Sequence, residues 1–109
     1  MPATRVSISR NVLYIASEAV GLETLDLAAG TRTTASGVGS GAVGLALSPD
    51  GEQLYVTNPP AGLVQIVNRA TRAVVGTFNN VGRPRNVAFE PHGTAAIVTD
   101  ENGRVIFIR

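Results

Sequence analysis

The sequence contains no cysteine and no lysine, and all nine of its cations are arginine. Without cysteine there is no disulfide, thiolate nucleophile, iron–sulfur cluster or cysteine-held zinc. Without lysine there is no amine nucleophile and no Schiff base. Tryptophan is also absent and aromatic residues make up only 5% of the chain, which leaves little from which to build a platform for stacking sugars or bases. The single histidine, His92, is the only side chain with an ordinary pKa near neutrality. No apolar run approaches the roughly 18 residues of a membrane-spanning helix. The run near the start, Val12 to Ala16, follows Arg10 and is too short for the core of a signal peptide. A formal net charge of +1 supplies no electrostatic pull toward nucleic acid or an anionic membrane. At 109 residues, 44% hydrophobic and 16% charged, the chain has the composition of one soluble globular domain.

What the sequence does contain is a repeat. Val12-Leu13-Tyr14-Ile15-Ala16 aligns with Gln53-Leu54-Tyr55-Val56-Thr57 at an offset of 41 residues, and the same offset places Leu25-Asp26-Leu27 on Ile66-Val67-Asn68. An offset of 42 carries Pro49 onto Pro91, Gly51 onto Gly93, and Leu45-Ala46-Leu47 onto Val87-Ala88-Phe89. It also carries Tyr55 onto Ile97 and Ile66 onto Ile108. Self-similarity at such a period marks stacked copies of one small structural unit.

Within one unit the apolar runs are short and end in turn residues. Leu45-Ala46-Leu47 stops at Ser48-Pro49-Asp50-Gly51, a tight turn. Leu54 to Thr57 stops at Asn58-Pro59-Pro60-Ala61-Gly62, which neither strand nor helix can cross. Leu63 to Val67 closes at Asn68-Arg69-Ala70-Thr71, and Ala73 to Phe78 completes the unit before Asn79-Asn80-Val81-Gly82. Four short strands, named A to D, therefore make one repeat, with no helical periodicity. The inner runs are continuously apolar, as in sheets covered on both faces. Four-stranded sheets at this spacing, stacked face on face, predict an all-β, incomplete β-propeller of antiparallel blades. The blades fall at about 4–41, 42–82 and 83–109, the last without its outer strand. Leu45, Leu47, Tyr55, Val56, Ile66, Val74, Val87, Phe89, Ile97 and Ile108 are the expected core.

Tyr55-Val56-Thr57-Asn58, preceded by Ser48-Pro49-Asp50-Gly51, resembles the YVTN-type β-propeller repeat of bacterial and archaeal surface-layer and exported proteins. The likeness extends from about Thr4 to Arg109 and is clearest in the middle blade. Ile97-Val98-Thr99-Asp100 and Tyr14-Ile15-Ala16-Ser17 stand in for the signature in the other two. The resemblance implies a propeller fold and favours a periplasmic or cell-surface location. For function it implies little, because such blades serve in binding proteins, lactonases and quinoprotein dehydrogenases alike.

Candidate sites are few. His92 replaces Asp50 in an A–B turn, where a polar residue shapes the loop, and no second ligand or base accompanies it. Asp100-Glu101-Asn102-Gly103 pairs two carboxylates, but Asn-Gly marks a hairpin and Arg104 interrupts any calcium-loop spacing. Asp50 and Glu52 flank Gly51 in the same way. Gly37-Val38-Gly39-Ser40-Gly41 precedes a strand rather than a helix and lacks a Lys-Ser/Thr tail, so it reads as a flexible D–A connection, not a phosphate loop. Arg83-Pro84-Arg85-Asn86 is more informative. Propeller D–A and B–C connections share a rim, so Arg83, Arg85 and Asn86 are expected beside Asn58, Asp100 and Glu101. Paired arginines there suit a carboxylate or phosphate; the competing expectation is that Arg85 pairs with Asp100 or Glu101, or faces water.

The absence of a nucleophile–base pair, metal cluster or cofactor motif predicts a non-catalytic scaffold or protein-interaction module, with no cofactor and no metal. The alternative is a fragment or subunit of a lactonase-like or quinoprotein dehydrogenase-like propeller whose catalytic residues lie elsewhere. In either case a protein partner or self-association is expected through the open blade faces and the edge strand Val105, Ile106, Phe107 and Ile108. Neither nucleic acid nor a transmembrane segment of its own is expected.

Overall fold

Turn residues divide the chain into eleven strands, with no helix among the described residues. They are β1 (Ala3–Ser9), β2 (Val12–Ser17), β3 (Gly21–Asp26), β4 (Arg32–Thr34), β5 (Gly44–Leu47), β6 (Gln53–Asn58), β7 (Leu63–Asn68), β8 (Val74–Phe78), β9 (Pro84–Phe89), β10 (Ala96–Asp100) and β11 (Val105–Ile108). The computed structural model describes residues 3–9, 11–35, 37–79, 81–90 and 95–108, β1 through its backbone. The strands form three antiparallel sheets in meander order, β1-β2-β3-β4, β5-β6-β7-β8 and β9-β10-β11. The first strand of each sheet lies innermost, with β5 between β1 and β9. This is the predicted all-β, incomplete propeller: three blades, the third with three described strands.

Strand alternation sends the two sides of the middle blade into two different cores. Leu45, Leu54, Val56 and Val67 meet Tyr14, Ala16 and Leu22 of the first blade. On the opposite side Val64 and the partly buried Tyr55 meet Ala96, Val98 and Ile108 of the third. Tyr55 also stacks edge-on against Phe89, ring centroids 4.8 Å apart at 84°, a favourable aromatic geometry.

The turns follow the side-chain chemistry of their residues. Gly51 N–H donates to the Ser48 carbonyl at 2.9 Å, with Gly51 in the left-handed region at φ 76°. The Ser48 hydroxyl donates to Asp50 Oδ1 at 2.6 Å, which also accepts the Glu52 N–H at 2.9 Å. The C–D turns of the first two blades are copies of one another. Asp26 Oδ1 accepts the N–H groups of Ala28 and Ala29, and Asn68 Oδ1 accepts those of Ala70 and Thr71. These are Asx turns. The turn expected at Pro91-His92-Gly93 lies outside the described residues, as does His92.

Three sequence expectations need correction. Leu45, Val56 and Ile108 are buried, but Leu47, Tyr55, Val74, Val87 and Phe89 sit at the core margins, and Ile66 and Ile97 belong to neither cluster. The strand-C alignment is also displaced by one residue. Val56 pairs with Gln65, Ile15 with Glu23, and Val98 with Ile106, so Val67 corresponds to Leu25 and Ile108, and Ile66 to Phe107. The middle B–C turn holds one residue more than the others, and a one-residue slip exchanges the faces of a strand. Finally, the glycine-rich D–A connection is packed rather than loose. Val38 is buried there, and a Cβ on Gly21 would stand 2.1 Å from its carbonyl oxygen.

Candidate functional site

Arg83 immediately precedes β9 and Arg85 is the extra residue where its pairing with β10 shifts register, between Thr99 opposite Asn86 and Asp100 opposite Pro84, with buried Pro84 between the two arginines. The B–C turn of the third blade meets them: Glu101 N–H donates to the Arg83 carbonyl at 2.9 Å. That backbone anchor aims the Glu101 carboxylate between the two guanidinium groups. Arg83 Nε donates to Glu101 Oε1 at 2.8 Å and Arg85 Nη1 to Oε2 at 2.9 Å. Each carboxylate oxygen serves a different arginine, and both arginines are about half exposed. These bonds hold the Glu101 carboxyl below its ordinary value, the Arg83 bond contributing most and the Arg85 bond next. Arg85 thus pairs with Glu101, one of the partners expected for it.

Asp100 has a different job. Its side chain is fully buried, and Oδ1 accepts the N–H groups of Asn102 at 2.9 Å and Arg104 at 3.0 Å. Oδ2 accepts Arg104 Nε at 2.9 Å. The backbone bond from Arg104 is the main cause of its lowered pKa, with further lowering from the Arg104 side chain and the Asn102 N–H. Asn58, the corresponding residue of the middle blade, is also a turn builder: Oδ1 accepts the Ala61 N–H at 3.3 Å and Nδ2 donates to the Ser40 carbonyl at 3.0 Å. In both blades the preceding connection passes so close that only glycine fits. A Cβ on Gly41 would stand 2.7 Å from Asn58 Oδ1, and one on Gly82 would stand 2.6 Å from Asp100 Oδ2.

The structure thus gathers Arg83, Arg85 and Glu101 into one exposed cluster, with the Asp100–Arg104 pair in the adjoining turn. Asn58 is committed to the preceding seam. Asn86 stands apart on the face of the third blade turned away from the second, lining a shallow cleft of about 290 Å³ with Ala88, Ile97 and Thr99.

Sequence reasoning missed the residue that joins the second and third blades. Thr57 Oγ1 accepts the Gly44 N–H at 2.8 Å and donates to the Arg85 carbonyl at 2.8 Å. The Arg85 backbone is thereby fixed to one blade while its side chain reaches Glu101. The available signal was the threonine at the third position of Tyr55-Val56-Thr57-Asn58, repeated as Thr99.

An acid-sensitivity prediction follows for the clasp. A carboxyl whose folded pKa is depressed contributes its stability in full above the unfolded value and loses it as pH falls through the folded value. For Glu101 the contribution is therefore present at neutral pH and fades in acid below its ordinary value of 4.5. Thermal melts of the parent chain and Glu101→Gln should differ slightly near neutrality, as exposed ion pairs do. The difference should vanish in strong acid; a gap that widened on acidification would contradict the clasp.

No family model and no curated protein matches the chain. Solved structures do, at the level of fold. Hydrazine synthase of Kuenenia stuttgartiensis superposes with a TM-score of 0.79 at 21% identity, over 90% of this chain and 29% of that one. The RRP9 WD40 repeats give 0.81 at 15%, over 96% and 34%. The computationally designed Ika4 protein gives 0.79 at 12%, over 97% and 64%. This chain therefore spans less than two thirds of each of these structures.

Proposed function

We propose that the chain is a non-catalytic interaction module that works by associating through the exposed face of its third blade. The observation that carries this reading is the repetition of a covered surface as an uncovered one. On the middle blade, Ala46, Tyr55 and Ile66 pair across the sheet in one row, and Gly44, Thr57 and Val64 in the next. That face receives the third blade. The same rows recur on the third blade as Ala88, Ile97 and Phe107, and as Asn86, Thr99 and Val105. There Val105 is 55% and Phe107 52% exposed. Apolar area of this kind, built to the pattern of an interface, is characteristic of surfaces that associate.

A buried charge at the opposite end supports the same reading. Gln65 of the middle blade reaches back to the first blade, its Nε2 donating to the Gly37 carbonyl at 2.9 Å. Glu23 holds the corresponding position in the first blade. It is buried, Oε1 has no hydrogen-bond partner among the described residues, and Oε2 lies 3.4 Å from Arg32 Nε. An unpartnered buried carboxylate oxygen is costly, and a donor from an associated surface would relieve it.

Light scattering at micromolar concentration tests the proposal. The expected mass is a multiple of 11.3 kDa, and Ile97→Asp, which puts a charge in the middle of the exposed row, should return the chain to a monomer. A parent chain that stays monomeric would sink the reading. Turnover that depended on one rim residue would also count against it.

A further inference from the structure

The B–C turn of the third blade contains the one Asn-Gly pair of the sequence, Asn102-Gly103, and both residues are exposed. We propose that this pair is a site of self-modification, at which the asparagine loses ammonia, becomes isoaspartate or aspartate, and so releases the turn. The inference is independent of the interaction-module reading, since it concerns a single turn and needs no partner.

The reaction is intramolecular, so the reacting groups are already held close. The Gly103 backbone nitrogen gives up its proton to hydroxide and attacks Asn102 Cγ. The new C–N bond closes a five-membered succinimide, and the side-chain nitrogen leaves as ammonia. Water then opens the ring. Opening at the side-chain carbonyl leaves aspartate; opening at the main-chain carbonyl leaves isoaspartate, with the chain now running through Cβ and Cγ. Water is the only co-reactant consumed.

Sequence and structure together single out Asn102 among the seven asparagines. Glycine leaves the attacking nitrogen unshielded and the backbone free to turn toward the side chain. Asn58 precedes proline, which has no N–H to lose, and each of the others precedes a bulkier residue. The turn also has room, because a Cβ built on Gly103 would meet nothing within 4 Å. Asn58 and Asn68 spend their side-chain oxygens as acceptors that close turns. At Asn102 the backbone N–H is the bonded group, donating to Asp100 Oδ1 at 2.9 Å. The restraint on the attacking nitrogen is the bond from Gly103 N–H to the Asp100 carbonyl at 3.1 Å. It lies in an exposed turn, and each opening of that turn frees the nitrogen.

The isoaspartate product does not fit the turn that made it. Asp100 Oδ1 holds the N–H groups of Asn102 and Arg104, and Asp100 N–H donates to the Arg104 carbonyl at 3.0 Å. An extra main-chain carbon between Asn102 and Gly103 displaces Arg104 from the buried carboxylate. It also adds a free carboxylate next to Glu101. The Glu101 N–H that anchors the Arg83 carbonyl belongs to the same turn, so the clasp loosens with it.

The test is ageing of the purified full chain in mildly alkaline buffer made with heavy-oxygen water, followed by peptide mapping. Conversion is expected at Asn102 ahead of the other asparagines, with heavy oxygen in the new carboxylate and a faster rate as pH rises. Asn102→Gln, whose longer side chain would have to close a six-membered ring, should stay intact. Amide hydrogen exchange at Glu101 and Arg104 should be about tenfold faster in the converted chain than in Asn102→Gln aged beside it, as when a hydrogen-bonded turn opens. A synthetic peptide of residues 98–106 sets the time scale. If Asn102 of the full chain is still an amide once the peptide has fully converted, the site is overturned. Conversion spread evenly over the asparagines overturns it as well. Conversion with unchanged exchange at the two amides overturns the release of the turn.

Discussion

Leu54→Ala should cost about 2–5 kcal/mol of folding stability, the range of large-to-small changes in well-packed cores. Leu54 is completely buried in the middle of the first core, between strands whose neighbours on both sides are fixed by sheet pairing. The hole left by alanine cannot close without moving β6, and β6 also carries Tyr55 and Thr57 toward the third blade. Both cores should therefore feel the change. Leu47 lies on the adjacent strand opposite Leu54 but is only partly buried at the margin of the same cluster. Its truncation removes fewer contacts and leaves a site that solvent can fill, so Leu47→Ala should cost distinctly less. Urea unfolding of the two variants beside the parent checks the order. Equal losses, or a larger loss at Leu47, would show the core to be centred elsewhere.

The contrast between these two leucines shows what pattern reading can and cannot reach. Repeat period, strand order and the turn positions within the described residues were legible because each is written locally, in glycine, proline and Asx residues at fixed offsets. Burial was less legible because it depends on which blade covers which face. Ile97 aligns with Tyr55 and reads as core, yet Tyr55 is covered by Phe89 whereas Ile97 borders an open cleft. The extra residue in the Asn58 to Gly62 turn also reversed the apparent facing of Ile66 and Ile108. A period-2 element gives no warning of such a slip until its pairing is known. At the rim, Arg83, Arg85 and Glu101 were legible as neighbours from propeller geometry alone. Asp100 and Asn58 were not separable from them, because a carboxylate or amide that closes a turn reads the same in sequence as one that meets a ligand. Only the hydrogen bonds assign them, and those bonds turn inward to Asn102, Arg104, Ala61 and Ser40.

The seam between the second and third blades should be the most sensitive point on the backbone, and two substitutions locate it. Thr57→Val keeps the volume and removes the hydroxyl, leaving the Gly44 N–H and the Arg85 carbonyl without the partner they share. The Gly44 bond is buried and the Arg85 bond partly so, and a buried group left unpaired costs about 1–3 kcal/mol. Thr57→Ser retains the hydroxyl and should recover most of the loss, which separates the hydrogen bonds from simple packing. Gly44→Ala attacks the same contact from the other strand. A Cβ at Gly44 would stand 2.2 Å from the Arg85 carbonyl oxygen and 2.6 Å from Thr57 Oγ1. Neither obstacle is the far end of a flexible side chain, so β5 and β9 would have to separate, with a loss at or above the usual 1–3 kcal/mol of overpacking. Once the seam has opened, the hydroxyl has little left to hold. The double variant should therefore lose clearly less than the sum of the single losses, the signature of two changes acting on one contact. Loosening the seam also releases the Arg85 backbone, so both single variants should blunt the acid sensitivity contributed by Glu101. Additive losses with that sensitivity intact would mean that the blades are held together by their apolar cores alone.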